Sequence, residues 1–285
     1  MKRRKFVKQV VTTAAGISLA PKLFAAANKK ALGVQLYTVR DALSKDLTGS
    51  LDKIAALGYN ELELFGYNGT FFGKTAKEFC KMCDDRGMKI ISSHYMTGRI
   101  GNAAGTITNG WQKAVDDAAE AKIEYMICAW LPPAERTAEM FKALPELLNN
   151  AGETCAKSHI QFCYHNHDFE FQKINDQLPY DMILNSVNAD HVKMEVDLYW
   201  ITKAGYNPVD YFTKYPGRFP LWHVKDMDAS GAFAEVGNGT IDFDKIFAAR
   251  NMAGLKHWFV EQDVCKRDPF ESLQISRDYV VKKGY

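Results

Sequence analysis

Long apolar runs are missing from this chain. The most apolar stretch near its start, ISLAPKLFAAA, is broken by Pro21, and Gly16 precedes it, so neither side reaches the roughly 20 residues of a membrane span. Clustered basic charge is missing too. Residues 1–27 hold six of the 36 Lys and Arg and none of the 34 Asp and Glu, so the remainder carries four more acidic than basic side chains. We therefore expect neither stable membrane insertion nor a nucleic-acid partner.

Two common cofactor motifs are incomplete. Cys80 and Cys83 form a CxxC within a helical pattern, and no second pair completes a zinc site, so free buried thiols are favoured over a disulfide or redox pair. The glycine-rich GNAAGT at 101–106 does not follow a strand, which argues against a dinucleotide-binding sheet.

The first 27 residues have the layout of an export signal. They are basic at the start, weakly apolar in the middle and rich in alanine at the end. Adjacent Arg3 and Arg4, followed by Phe6 and Lys8, are typical of a twin-arginine signal, which is a receptor-read address. Cleavage after Ala27 is expected, giving a periplasmic or otherwise exported protein. The alternative is a basic amphipathic anchor that stays at the membrane surface.

The rest of the chain, residues 28–285, alternates short β-branched runs with helical patterns. Eight repeats without a linker predict an α/β fold, a single-domain (β/α)8 TIM barrel. The predicted strands span 32–39, 59–65, 88–94, 124–130, 160–166, 192–198, 220–226 and 257–263.

Polar side chains gather at the ends of these strands, where barrel enzymes place their chemistry. His165, Asp197, His223 and Glu261 follow four consecutive strands and share the inward face. Mixed imidazole and carboxylate groups of this kind suit a catalytic divalent cation, so Mn²⁺, Co²⁺, Zn²⁺ or Mg²⁺ is expected there.

The pattern allows more than one role for several neighbouring residues. His167 shares a face with His165, so either imidazole can be the ligand while the other meets substrate. Lys225 lies two residues after His223 and can polarise a carbonyl, or it forms a surface ion pair. Glu195 lies one layer below Asp197 and either orients a ligand or belongs to a structural network.

A separate set is predicted to bind substrate. Aromatic rings that can stack on a sugar are Tyr37, Trp130 and Trp200, and the strand-end Glu63 and His94 join them, although His94 can also be a capping or loop histidine. Trp222 alternates away from His223, so we expect it to pack under a helix. His159, His191 and His257 precede their strands and are assigned no chemistry.

In this order the motifs resemble the xylose-isomerase-like barrel superfamily, which includes sugar epimerases, inosose dehydratase and endonuclease IV. The resemblance spans nearly the whole chain after residue 27 and is carried by GVQLYTVRD (33–41), ELEL, SSH (92–94), YHNHDFEF (164–171), EVDLYW (195–200), HVKD (223–226), EVGNGTIDF (235–243) and FVEQD (259–263). It implies that a divalent metal is held by His165, Asp197, His223 and Glu261.

The chain departs from the family pattern at two positions. Where the family has a Glu on strand five, this chain has His165, so one of two carboxylate bases is missing and two-sided epimerisation is less favoured. Trp200 stands where the nuclease branch has a histidine ligand, which argues against its multinuclear zinc site.

These observations predict a metal-dependent sugar isomerase or epimerase. It would remove a proton next to a carbonyl of a free sugar or keto-sugar, with Glu261 as base and His167 or Lys225 as proton donor. A lyase or hydratase acting on keto-sugars such as 3-keto-glycosides is the first alternative, and a non-catalytic sugar-binding barrel, without bound metal, is the second. The expected partner is a small carbohydrate, and the oligomeric state is open.

Overall fold

Eight parallel strands close into a barrel in the computed structural model, which describes residues 31–285. The eight-stranded barrel of the sequence prediction is therefore confirmed, whereas the export signal predicted at 1–27 lies outside the described residues. The strands are β1 Gly33–Gln35, β2 Glu61–Leu64, β3 Lys89–Met96, β4 Tyr125–Trp130, β5 Gln161–His165, β6 Val192–Asp197, β7 Leu221–Val224, β8 Asp226–Met227, β9 Phe233–Ala234 and β10 His257–Val260. Of these ten strands, β8 and β9 lie outside the barrel, as an antiparallel hairpin.

Helices separate the barrel strands along the chain. They are α1 Arg40–Lys45, α2 Leu47–Ala56, α3 Ala76–Asp84, α4 Trp111–Glu120, α5 Ala138–Ala156, α6 Pro179–Ser186, α7 Leu198–Lys203, α8 Pro208–Lys214, α9 Phe243–Ala248, α10 Arg250–Ala253 and α11 Pro269–Lys283. Among the described residues, none of these helices combines the length and apolarity that a membrane crossing requires.

The first strand is shorter than the sequence predicted. The strand predicted at 32–39 ends at Gln35, and a 3₁₀ helix covers Leu36–Val39. The physical reason is a local cap, because the Gln35 side chain accepts a hydrogen bond from the Tyr37 backbone at 3.0 Å and turns the chain. The prediction for the last strand, 257–263, was also too long: pairing stops at Val260, and Glu261 follows outside the ladder.

Two apolar clusters lie on opposite sides of the barrel wall. The larger one packs the strands against the helices, and Trp222 belongs to it, stacked on Phe212 of α8 as expected. The smaller cluster lies inside the barrel and consists of Ile91, Ile127, Cys163, Leu221 and Phe259. Cys163, Leu221 and Phe259 each lie two residues before a predicted ligand, so this cluster forms an apolar floor one layer below the polar strand ends.

The barrel closes where β1 pairs with β10. Gly33 lies opposite Phe259, and a Cβ at Gly33 would fall 2.1 Å from the Trp258 carbonyl oxygen. Only glycine allows the two backbones to approach this closely.

A single carboxylate organises the segment after β7. Asp226 is almost fully buried and accepts hydrogen bonds from the backbone N–H groups of Gly237, Gly239 and Ile241. The EVGNGTIDF motif is therefore a loop held at three backbone N–H groups by Asp226, with further hydrogen bonds from the Ser272 hydroxyl to Glu235 and from the Val236 N–H to Ser276.

All six cysteines are free thiols, as the sequence predicted. Four are buried, whereas Cys80 and Cys265 are half-exposed, which corrects the expectation of a buried thiol at Cys80. Cys80 is partly exposed because it lies on the outer face of α3, whereas Cys83 lies on the buried face. Burial raises the pKa of the Cys83 thiol to about 12.

Candidate metal and substrate site

Three strand ends bring Asp197, His223 and Glu261 together, and we call these residues the upper group. Their ligand atoms lie within 4.8 Å of one another, and all three residues are buried. His223 Nδ1 lies 2.6 Å from Glu261 Oε2, but without hydrogen-bond geometry. Among the described residues, Asp197 Oδ2, His223 Nδ1 and Glu261 Oε2 form no hydrogen bond of good geometry, although Lys225 Nζ lies within 3.0 Å of both carboxylate oxygens. Buried polar atoms that converge without bonding to one another are what a cation site requires, so these residues fit a divalent metal.

The two carboxylate oxygens of Asp197 have different partners, and one of them is directed into the upper group. Its Oδ1 accepts the Trp200 backbone N–H at 2.9 Å and caps α7, which ends β6 at this residue. Its Oδ2 points into the barrel, 3.7 Å from His165 Nε2.

Lys225 lies beside the upper group as a buried cation. Its Nζ is 3.0 Å from Asp197 Oδ2, 2.8 Å from Glu261 Oε2 and 2.8 Å from Asp263 Oδ1. Burial alone would lower the pKa of Lys225, but the three carboxylates outweigh it and raise that pKa well above its usual value. Lys225 is therefore an ammonium in the barrel mouth rather than a surface ion-pair partner.

A second layer, which we call the lower group, lies beneath the first and consists of His94, His165, Glu195 and His223. The ligand atoms of these four residues also lie within 4.8 Å of one another. Glu195 Oε2 is 2.9 Å from His94 Nε2 and 3.0 Å from His165 Nδ1. Of the two roles left open for Glu195, this contact matches the orientation of a predicted ligand, because the carboxylate fixes the His165 ring.

Glu63 lies within this lower layer and is fully buried. It accepts hydrogen bonds from Gln35 at 2.8 Å and from Ser92, and it pairs with His223 Nε2. Burial would raise the pKa of Glu63, but His94 and His223 hold it well below its usual value. Glu63 thus supports the site residues from below and does not line the cavity above them.

His165 and His167 point to different surroundings, although they are two residues apart. His165 faces the metal-ligand candidates, with its ring centroid 4.5 Å from that of His223. His167 lines the cavity, stacks on Phe169 at 5.6 Å, and its Nδ1 has no hydrogen-bond partner among the described residues. Burial is the main cause that lowers the pKa of both imidazoles well below the usual value, so both are neutral.

A cavity of about 620 Å³ opens above the upper group. It has a polar floor that includes His94, Lys225 and Glu261, and a rim rich in aromatic rings. Its lining residues are Tyr37, Phe65, Gly66, Tyr67, His94, Tyr95, Met96, Ala129, Trp130, Arg136, His165, His167, Asp168, Phe169, Trp200, Lys225, Glu261 and Asp263. Four of the predicted substrate residues, Tyr37, His94, Trp130 and Trp200, are among them.

The sequence missed several cavity residues that lie on loops. Arg136 places its guanidinium 3.7 Å over the Phe169 ring and 5.2 Å from that of Trp130, and Phe65 packs edge-on against Tyr37. None of these three follows a repeated spacing. Only the FEF run containing Phe169, within a motif already noted, offered a signal.

The ionisation of the upper group follows from its neighbours. Burial would raise the pKa of Glu261, but Lys225 and His223 outweigh it and lower that pKa to about 2. Burial raises the pKa of Asp197 to about 6, partly opposed by Lys225 and His223. Near neutral pH both groups are therefore carboxylates, which are the forms that bind metal and accept protons.

With this geometry established, comparison with known proteins assigns the family. A family model of the xylose isomerase-like TIM barrel matches residues 51–278. The chain belongs to this family. The family resemblance expected from the strand-end motifs is thus confirmed.

Individual relatives carry different functions. Inosose dehydratase from Clostridium beijerinckii is 25% identical over 166 residues, 51% of this chain and 55% of that protein. The chain therefore matches little more than half the length of this curated relative. A structure called a sugar phosphate isomerase/epimerase from Parabacteroides distasonis is 29% identical, with a TM-score of 0.79 over 90% of this chain and 95% of that one. The IOLI protein, solved with a zinc atom, shares the fold at 15% identity and a TM-score of 0.69, covering 88% and 97%.

Proposed function

We propose that this chain is a metal-dependent enzyme that removes a proton next to a carbonyl of a free sugar or keto-sugar. The observation that carries the proposal is the upper group, where three buried ligand atoms converge within 4.8 Å of one another at the floor of an aromatic-rimmed cavity. Asp197, His223 and Glu261 would hold the ion, with His165 Nε2 as a fourth ligand. A divalent cation bound there would supply Lewis-acid polarisation of the carbonyl oxygen.

Glu261 is the proposed base. It is ionised at neutral pH and lines the cavity. Lys225, 2.8 Å away, helps to keep its pKa low. A substrate oxygen that takes a hydrogen bond from Lys225 would weaken this effect and make Glu261 a stronger base.

Lys225 and His167 are the two candidates for returning the proton. Lys225 is a protonated ammonium in contact with Glu261, whereas His167 is neutral and faces the cavity between Phe169 and Trp200. The charge of Lys225 favours it as the donor to an oxygen atom, and His167 is better suited to position a hydroxyl.

An isomerase and a lyase both begin with this proton abstraction. Isomerisation or epimerisation is our first candidate, in line with the P. distasonis relative's name. Elimination, by a lyase or hydratase on a keto-sugar such as a 3-keto-glycoside, is the second. It is favoured by the imidazole of His165 where a second carboxylate base is expected, and by the relatives called inosose dehydratase.

The test is to incubate the protein with Mn²⁺ and a panel of free sugars and 3-keto-glycosides, and to analyse the products by mass spectrometry. An isomer keeps the mass of the substrate, whereas elimination releases a fragment or water. Glu261→Gln should lower kcat by at least about 100-fold. Glu139→Gln, on an exposed part of α5, is the matched control and should retain wild-type turnover. Unchanged turnover in Glu261→Gln would remove Glu261 from the mechanism.

We also propose that residues 1–27 direct export through a twin-arginine route. Support comes from Arg3 and Arg4 ahead of an acid-free, alanine-rich segment. Changing both arginines to lysine in the full chain should move the protein from the periplasmic to the cytoplasmic fraction, while Lys8→Arg should not. Equal fractions for all three proteins would contradict the proposal.

A further inference from the structure

The lower group contains three imidazoles around one carboxylate oxygen. Glu195 Oε2 lies 2.9 Å from His94 Nε2, 3.0 Å from His165 Nδ1 and 3.3 Å from His223 Nε2. Four ligands bound tetrahedrally to zinc at about 2.1 Å lie about 3.4 Å apart. Each of the three histidine nitrogens therefore needs to move about half an ångström or less from Glu195 Oε2, and the four ligand atoms already lie within 4.8 Å of one another.

Charge in this layer also points to a cation. Glu63 and Glu195 are both fully buried, and within residues 31–285 each forms ion pairs with histidines alone. The second oxygen of Glu195, Oε1, is buried and has no hydrogen-bond partner in the same range. Two buried carboxylates next to imidazoles need about two positive charges, which come either from protons on His94 and His223 or from a divalent ion that replaces those protons.

His165 and His223 face both groups through opposite ring nitrogens. His223 Nε2 faces Glu195, and its Nδ1 faces Glu261 at 2.6 Å. His165 Nδ1 faces Glu195, and its Nε2 faces Asp197 at 3.7 Å. A neutral imidazole has one unprotonated nitrogen, so each histidine can ligate an ion in one group or in the other but not in both.

We propose that the lower group is a zinc site, formed by His94, His165, His223 and Glu195, that excludes occupation of the upper group at the same time. Three of its four ligands are imidazole nitrogens, which suit Zn²⁺. The upper group contributes two carboxylates and suits Mn²⁺ or Mg²⁺. The ion's identity thus selects its depth in the barrel, and zinc bound in the lower group blocks the ion position at the cavity floor.

Calorimetric titration of the metal-free full-length protein with Zn²⁺ or Mn²⁺ tests this selection. His94 belongs to the lower group alone and Asp197 to the upper group alone, which makes them a matched pair. His94→Gln should weaken Zn²⁺ binding at least tenfold and Mn²⁺ binding less than threefold, and Asp197→Asn should show the reverse. Zinc affinity that falls with Asp197→Asn and is unaffected by His94→Gln would overturn the proposal.

Anomalous diffraction at the zinc edge from wild-type crystals gives an answer without any variant. A peak between His94 and Glu195 supports the lower site. A peak between Asp197 and Glu261, or no zinc peak, refutes it. Because turnover with Mn²⁺ depends on the upper group, it can persist when the zinc proposal fails, so the two proposals are separately testable.

Discussion

The buried carboxylates at the barrel mouth are balanced by one buried lysine. Lys225 is the counter-ion for Asp197, Glu261 and Asp263, and it is almost fully buried itself. Breaking a buried ion pair leaves the remaining charges without compensation, which typically costs 3–5 kcal/mol. A metal ion in the upper group would compensate for the same carboxylates.

Replacing Lys225 by a neutral residue should make the free energy of unfolding more dependent on bound metal. In metal-free protein, Lys225→Met should lower the free energy of unfolding by about 3 kcal/mol, and Mn²⁺ should restore more of it than it adds to the wild type. Thermal unfolding with and without Mn²⁺ measures both effects. Lys256→Met, on an exposed position, is the control. The same midpoint for both variants without metal would show that Lys225 does not compensate for these carboxylates.

Glu170 is a second buried group with a measurable signature. Burial raises its pKa to about 8, against hydrogen bonds from the Tyr164 hydroxyl and the His167 N–H. A carboxyl whose pKa is raised on folding holds a proton that the unfolded chain has lost. Its contribution to stability is complete below about pH 4.5 and decreases as the pH rises to about 8.

The expected slope is about 1.4 kcal/mol per pH unit within that window. Glu170→Gln should remove this component, so urea unfolding at pH 5 and pH 8 should differ less for the variant than for the wild type. Glu153→Gln, on the exposed side of α5, should leave the difference unchanged. If the wild type and Glu170→Gln show the same difference, the Glu170 carboxyl is already ionised at pH 5.

Two strands end where a side-chain oxygen accepts a hydrogen bond from a backbone N–H of the next turn. Asp197 ends β6 by capping α7, and Gln35 ends β1 by accepting the Tyr37 N–H. Asp197 is among the residues singled out at strand ends. Alternation and propensity predicted that a strand occurs in each region, but not its last residue, because one side-chain hydrogen bond decides it.

The loop after β9 offers a test at this scale. Asp226→Ala would remove the acceptor of the partly buried N–H groups of Gly237, Gly239 and Ile241, and each lost hydrogen bond costs about 1 kcal/mol. The free energy of unfolding should fall by at least about 2 kcal/mol, with faster hydrogen exchange at these amides. Asp228→Ala removes a similar cap from an exposed turn and should cost less. Equal losses would mean that Asp226 does not hold the loop.

At the scale of the whole molecule, barrel closure depends on the close approach of the β1 and β10 backbones at Gly33. A Cβ at Gly33 would meet the Trp258 carbonyl oxygen, so Gly33→Ala must push β1 away from β10. We expect a loss of about 2 kcal/mol or more, against about 1 kcal/mol for Gly87→Ala, where only the backbone conformation at φ +68° is strained. Chemical denaturation of both variants measures the difference. A smaller loss at Gly33 than at Gly87 would show that the seam tolerates a side chain.

The sequence predicted more of the barrel than of the cavity. Eight strands and the cluster at their ends follow from local periodicity, so His223, Asp197 and Glu261 could be proposed as site residues by position alone. Two features came only with the tertiary structure. One is Glu195 among three imidazoles, which needs four strands in register, and the other is Arg136 over Phe169, which joins two loops.

The burial of the free thiols determines how the native protein reacts with alkylating and oxidising reagents. Burial shields four of the six sulfurs and raises the pKa of the Cys83 thiol to about 12, so little reactive thiolate forms at neutral pH. In the native state an alkylating reagent should label Cys80 and Cys265 alone, and all six should react after denaturation. The barrel should therefore need no reducing agent to keep its interior intact, and cysteine oxidation by peroxide should begin at the half-exposed Cys80 and Cys265 rather than at the four buried thiols.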